Sequence, residues 1–162
     1  MGKFASLVDM PERREAFKAK YNIPAKVEIE HCYLGEWHTK RPSGAVVIPM
    51  IAFIEGGMQI PVGKVMREFL IYYRLCPTQC SPNVFRILGS VDMLNCKMGV
   101  KLTHHDVNWV YNCQNSREVG YYFKTRVPSV WLISCLPKSN KGMCKGFLIV
   151  LDEWHDDLHC PT

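Results

Sequence analysis

Three groups of residues have the types and spacing that chemistry requires. His155 and His159 stand four apart, as in the His-Glu-x-x-His arrangement, where two histidines on one helix face hold a metal and the glutamate acts as base. Here Asp156 takes the glutamate's place and reaches less far toward a bound water, and the only ligand type beyond His159 is Cys160. A polar, fraying segment is the better reading. Cys76 and Cys80 could open a zinc site, with Cys135, Cys144, His155 and His159 as further ligands. Structural zinc normally shows a second close pair, and none is present, so cysteines at a loop–helix junction are the plainer expectation. The third group is basic. Lys138, Lys141 and Lys145 alternate with serine, asparagine and glycine in "KSNKGMCKG", while Lys124 and Arg126 follow the aromatic triplet Tyr121, Tyr122, Phe123. Lysines beside aromatics could hold a phosphate backbone and stack bases. A hairpin tip with solubilising lysines explains the same residues and is the favoured reading.

Other signatures are missing. No GxGxxG or GxxxxGK[ST] pattern occurs, and the glycine–lysine pieces of "NKGMCKG" lack P-loop spacing. No family signature for a cysteine nucleophile surrounds any of the eight cysteines, and His104-His105 fits an ordinary helix start. The pattern Met1-Gly2-x-x-x-Ser6 matches the loose myristoylation motif, which is short and weak evidence. Nothing in the sequence demands an enzyme, a metal or a cofactor.

The chain that must position these groups has 162 residues, 48% hydrophobic and 22% charged, enough for one domain with a real core. Its net charge of +5 is spread unevenly. Residues 117–147 hold six Lys/Arg against one acid, and residues from 148 onward hold four acids with no Lys or Arg. The longest apolar run, 45–54, is far short of the ~20 residues a membrane span needs, so no membrane is expected. With no export signal ahead of them, the eight cysteines are expected as free thiols in an intracellular protein, in cytoplasm or nucleus.

The elements follow from periodicity and caps. Asp9 and Pro11 mark the start of a first helix that Ile23-Pro24 ends. Residues 26–31 alternate as a short strand or extended segment, and 46–55 form a short apolar helix or buried segment closed by Gly56-Gly57. Val65, Met66, Phe69, Leu70 and Tyr73 lie on one helix face, and a second face carries Val84, Ile87, Leu88, Val91 and Leu94, with Ser81 as cap and Gly99 as stop. Thr103 and Asp106 make a capping box for a helix over 104–113. The later part is aromatic and β-branched. Strands are expected at 120–126, 130–136 and 146–151, pairing with one another, with Tyr121 and Phe123 on one face and Tyr122 on the other. The fold class is therefore α+β: a helical N-terminal and central part, then a small antiparallel sheet. The expected organisation is a single domain, 1–162, with an N-terminal helix and extension (1–44), a central region (45–154) and an acidic tail (155–162).

The order of four short stretches resembles one family. "IPVGKVMREFLIYYRLCPTQCSPNVFRIL", "GVKLTHHDVNW", "GYYFKTR" and "PKSNKGMCKGFLIV…EW" are together similar to the plant gypsy-type transposon domain, found near the N-terminus of retroelement proteins. The junction motif of that family falls on Leu75, Pro77, Gln79, Pro82, Asn83, Phe85 and Arg86, its aromatic element on Gly120, Tyr121, Tyr122 and Phe123, and its lysine–glycine element on 139–150. The chain departs from the family pattern at Phe85, where tryptophan is usual, and at Met143-Cys144, where the family has tryptophan-lysine. The resemblance implies no catalytic residues. It implies a gag-like interaction domain that binds protein or its own kind, with nucleic-acid binding through Lys124, Arg126, Lys138, Lys141 and Lys145 as the alternative.

Overall fold

The computed structural model describes residues 4–33, 36, 42–137 and 146–151. Among these are five α-helices: α1 (Pro11–Lys20), α2 (Met50–Ile54), α3 (Lys64–Tyr73), α4 (Pro82–Met98) and α5 (His104–Val110). The strands are β1 (Glu28–Cys32), β2 (Val46–Pro49), β3 (Tyr111–Ser116), β4 (Gly120–Thr125) and β5 (Phe147–Leu151). The fold is α+β, with two small antiparallel sheets.

The larger sheet has the order β1-β5-β2, so a C-terminal strand sits between two N-terminal ones. Its register sets Ile29 and Val46 against Val150, and His31 and Ile48 against Leu148. The run Phe147-Leu-Ile-Val is buried throughout because both sheet faces are covered, which explains its unbroken apolar composition. Leu148 and Val150 join the main core, while Phe147 and Ile149 face a second cluster with Cys32, Ala45 and Val47.

Helices α3 and α4 pack together across Val65, Met66, Phe69 and Leu70 on one side and Val84, Phe85, Ile87, Leu88 and Val91 on the other. Leu94, expected on that face, is exposed, because the helix outruns the neighbour that could cover it. The expected stop at Gly99 holds, its φ of 64° being the left-handed geometry that glycine adopts without strain. At the α1 start the cap position is Met10 rather than Asp9 and makes no side-chain bond; Asp9 instead pairs with Arg13 at 3.0 Å. Ser81 likewise caps α4 by position only, since its buried hydroxyl has no hydrogen-bond partner among the described residues.

The second sheet is the hairpin β3–β4, and it changes two expectations. The helix over 104–113 stops at Val110, and residues from Tyr111 onward pair with β4, Cys113 facing Phe123 and Gln114 facing Tyr122. Six ladder positions and the burial of Tyr111 outweigh the polar composition of this strand. The expected strand at 130–136 does not form. The amides of Leu132 and Ile133 donate to the Tyr111 hydroxyl at 3.1 and 3.3 Å, and Cys135 has φ of 59°, which no strand accommodates. Consequently 120–126 and 146–151 do not pair with each other: β4 belongs to the hairpin and β5 to the other sheet.

Two of the motif stretches meet in space. Gly120, with φ of 70°, lies against the Gln79 carbonyl so closely that a Cβ there would overlap it, and the Ser81 amide donates to the Tyr121 carbonyl at 2.8 Å. Asn83 reaches the Pro137 carbonyl at 3.1 Å and also accepts from Arg86 at 2.7 Å. The proline–glutamine junction thus fixes where the hairpin sits on α4. No helix among the described residues is long and apolar enough to cross a membrane.

Candidate protein-interaction surface

Helix α5 is seven residues long and begins at the capping box the sequence marks. The Thr103 amide and hydroxyl donate to Asp106 Oδ2 at 2.7 and 2.9 Å, and these bonds hold the Asp106 carboxyl below its ordinary range. Within this helix His104 and Val107 turn inward. Trp109 falls out of that phase and is 82% exposed.

A chain of ring contacts connects this helix to the core. Phe123 meets Phe69 at 5.1 Å, Phe69 meets Tyr73 at 4.8 Å, and Tyr73 meets Tyr72 at 5.0 Å. Tyr72 then touches His104 at 4.9 Å and His105 at 5.5 Å. His104 is buried, neither ring nitrogen has a hydrogen-bond partner among the described residues, and Nδ1 stands 3.7 Å from Glu68. Its role is packing between Tyr72 and His105.

The aromatic triplet divides as strand alternation requires. Tyr121 and Phe123 pack against the core, whereas the Tyr122 hydroxyl donates to Gln114 Oε1 at 2.9 Å. Tyr121 and Phe123 are therefore partly buried against the core. Lys124 and Arg126 are both exposed. Arg126 is held at two points: its amide donates to the Val110 carbonyl at 2.9 Å and its Nε to the Asn108 carbonyl at 2.6 Å. Lys138, Lys141 and Lys145 lie outside the described residues, as do His155, His159, Cys144 and Cys160.

These bonds of Arg126, with those of Leu132 and Ile133 to Tyr111, fold residues 126–133 back onto the end of α5. The result is an exposed apolar area that sequence reasoning missed: Trp109, Val127, Val130, Trp131 and Leu132. The phase break at Trp109 was visible, since 104 and 107 define the inward face. The exposure of 127–132 was not, because an apolar run reads equally as a strand.

The thiols and phenols nearby are poorly suited to nucleophilic work, which needs a depressed pKa. Burial, and then the neighbouring Cys113, push the Cys80 thiol far up. Burial pushes Cys113 up to about 11. Burial likewise raises Tyr73, more than the Asn108 hydrogen bond and Arg126 lower it. Among the described residues no three His, Cys, Asp or Glu side chains converge as a metal would require. Cys76 is disulfide-bonded, so the expectation of eight free thiols is wrong at that position; Cys32, Cys80, Cys96, Cys113 and Cys135 are in the thiol form.

Of the clefts, one of about 400 Å³ lies between the α2–α3 loop and α4. Its charged groups are occupied: Arg86 by Asn83 and Glu55, and Asp92 by the start of α3, whose Val65 and Met66 amides donate to it at 2.8 and 3.3 Å. Comparison of the chain with family models, with curated proteins and with solved structures finds no match in any of the three.

Proposed function

We propose that this chain is a non-catalytic α+β interaction domain of retroelement origin, acting through protein contact, including contact with its own kind. The observation that carries the reading is the exposed aromatic and aliphatic surface of Trp109 and residues 127–132, held in place by hydrogen bonds rather than left as a loose loop. Exposed apolar surface brought together in this way is where proteins meet partners. The retroelement origin rests on the order of the four sequence stretches. Nucleic-acid binding through Lys124, Arg126, Lys138, Lys141 and Lys145 is the less favoured reading, since Tyr121 and Phe123 are turned inward. An intracellular setting, cytoplasm or nucleus, belongs to the same reading; the free cysteines among the described residues support it, and the bonded Cys76 weighs on the other side.

Sedimentation velocity over a wide concentration range tests the proposal. Concentration-dependent association that weakens when Trp109 and Trp131 are both replaced by serine is the expected result. Turnover of a hydrolysable or transferable substrate, abolished by Cys113→Ala or His104→Ala in a folded protein, would overturn it.

A further inference from the structure

The surface just described has a charge as well as an apolar character. Between residues 106 and 137 the bases are Arg117, Lys124 and Arg126 and the acids are Asp106, which accepts two bonds from Thr103, and Glu118, in the turn between β3 and β4. Lys124 and Arg126 form no ion pair with any described residue, and Arg126 lies between the α5 end and Val127. An occupant must therefore bring apolar atoms and negative charge together. Two copies of this same surface meeting face to face would set Arg126 and Lys124 against their own counterparts, which like-charge repulsion disfavours. A nucleic acid would supply the charge and could stack on Trp109 and Trp131, but would leave Val127, Val130 and Leu132 without apolar partners.

One stretch of this chain has the required chemistry. Residues 152–158 read Asp-Glu-Trp-His-Asp-Asp-Leu: four acids, two apolar anchors, and no lysine or arginine. The surface beside Leu151, from which this stretch continues, offers it little. A groove of about 490 Å³ there is lined by Glu12, Glu15, Glu28 and Glu30 against Arg14 and Lys18, and Lys18 is already bonded to Glu15 and the Ala25 carbonyl. Resting on the interaction-domain reading, we infer that the Trp109–Arg126–Trp131 surface of one copy docks the acidic segment 152–158 of a second copy. The contact is head-to-tail: Trp154 and Leu158 cover the exposed tryptophans and valines, and the four carboxylates meet Lys124 and Arg126. Such an interface does not consume its own complement, so a pair keeps one site and one segment available for further copies.

The test uses the full chain and a fluorescent peptide of sequence Asp-Glu-Trp-His-Asp-Asp-Leu, with a second peptide in which the four acids are amides. Anisotropy titrations should show binding of the acidic peptide that weakens with salt. Trp131→Ser or Arg126→Gln should weaken it by about tenfold or more, as buried tryptophan and arginine anchors do. The amide peptide should lose comparably. Trp131 is exposed and its side chain anchors none of the described residues, so Trp131→Ser should unfold at the parent's temperature. Arg126→Gln also removes the bond to the Asn108 carbonyl. Lys124→Gln, whose exposed side chain makes no such bond, should weaken binding at an unchanged melting temperature and so separates binding from folding. In sedimentation, Asp156→Asn with Asp157→Asn should weaken self-association of the full chain. Equal binding by parent and variants, or by both peptides, overturns the inference. So does an oligonucleotide that binds this surface while the peptide does not, and so does loss of the effect in trans with a concentration-independent monomer, which would place the segment on its own copy. If self-association persists unchanged in all these variants, the site named here is wrong while the interaction-domain reading survives.

Discussion

Two apolar runs of this chain meet opposite fates. Residues 147–151, Phe-Leu-Ile-Val-Leu, form the central strand of the larger sheet, the first four buried. Residues 127–132 contain Val127, Val130, Trp131 and Leu132 and stay exposed. Hydrophobicity separates them only in part, through Pro128 and Ser129 in the second stretch. The difference lies in the backbone: β5 finds an edge on each side, β1 and β2, whereas the amides of 132 and 133 are taken by one phenolic oxygen. A strand is buried where its hydrogen-bonding groups have partners, because unpaired polar backbone is costly away from water. Apolar side chains alone do not decide the matter.

The sharpest way to break this comparison is a matched pair of truncations. Leu148→Ala should cost about 2–5 kcal/mol, since it empties a fully buried position. Leu132→Ala should stay within about 0.5 kcal/mol, as an exposed change away from special features does. Urea unfolding of the two variants measures both, and equal losses would dissolve the distinction. Next in size is Tyr111→Phe, which keeps the ring but removes the acceptor of two amides. A loss of about 1–3 kcal/mol is expected, together with faster proteolytic cleavage within 127–133.

Two aspartates bond to helix starts, Asp92 of α4 to the start of α3 and Asp106 to that of α5, and their pH dependences carry opposite signs. Asp92 accepts from the first amides of α3, yet burial raises its carboxyl above the ordinary value, with Glu68 adding to the rise. A raised folded pKa means that the anion is penalised in the folded state. Relative to Asp92→Asn, the parent should therefore gain stability as pH falls through the raised folded pKa toward the ordinary value of 3.8. Asp106 is lowered by the Thr103 bonds, so its contribution is present above 3.8 and lost as pH falls through its folded pKa. Relative to Asp106→Asn, the parent should weaken there. Thermal melts from neutral to strongly acidic pH distinguish the two, and parallel curves would contradict the assigned causes. The smallest effect concerns thiols. At mildly alkaline pH, iodoacetamide should label exposed Cys96 and Cys135 well before buried Cys32 and Cys80. Uniform labelling in the absence of denaturant would argue against the burial described.

Much of the framework was legible before any coordinates. The α3 and α4 faces, the stop at Gly99, the Thr103–Asp106 box and strand segments near 28–32, 120–125 and 147–151 all follow from local pattern. What failed was non-local. Nothing in Tyr-Asn-Cys-Gln-Asn-Ser announces a strand until β4 is laid beside it, and nothing in Phe-Leu-Ile-Val says that its neighbours lie about a hundred residues earlier. Of the candidate site residues, Lys124 and Arg126 are exposed at the end of β4, and Lys138, Lys141 and Lys145 lie outside the described residues. The surface around Trp109 was missed because its second half, 127–132, is exposed by the hydrogen bonds of Tyr111 and Arg126, which no local pattern encodes.

The position of β5 between β1 and β2 also has a consequence in time. During synthesis the ribosome delivers Pro49, the end of β2, long before Phe147, the start of β5. At the ~5–20 residues per second of translation, the two N-terminal strands wait about 5–20 s for the strand that joins them. Throughout that interval the edges that β5 will occupy stand open to any other nascent chain. The larger sheet is thus the last element to close and the one most exposed to mispairing on the way, so chaperone occupancy during translation should track the stretch between Pro49 and Phe147.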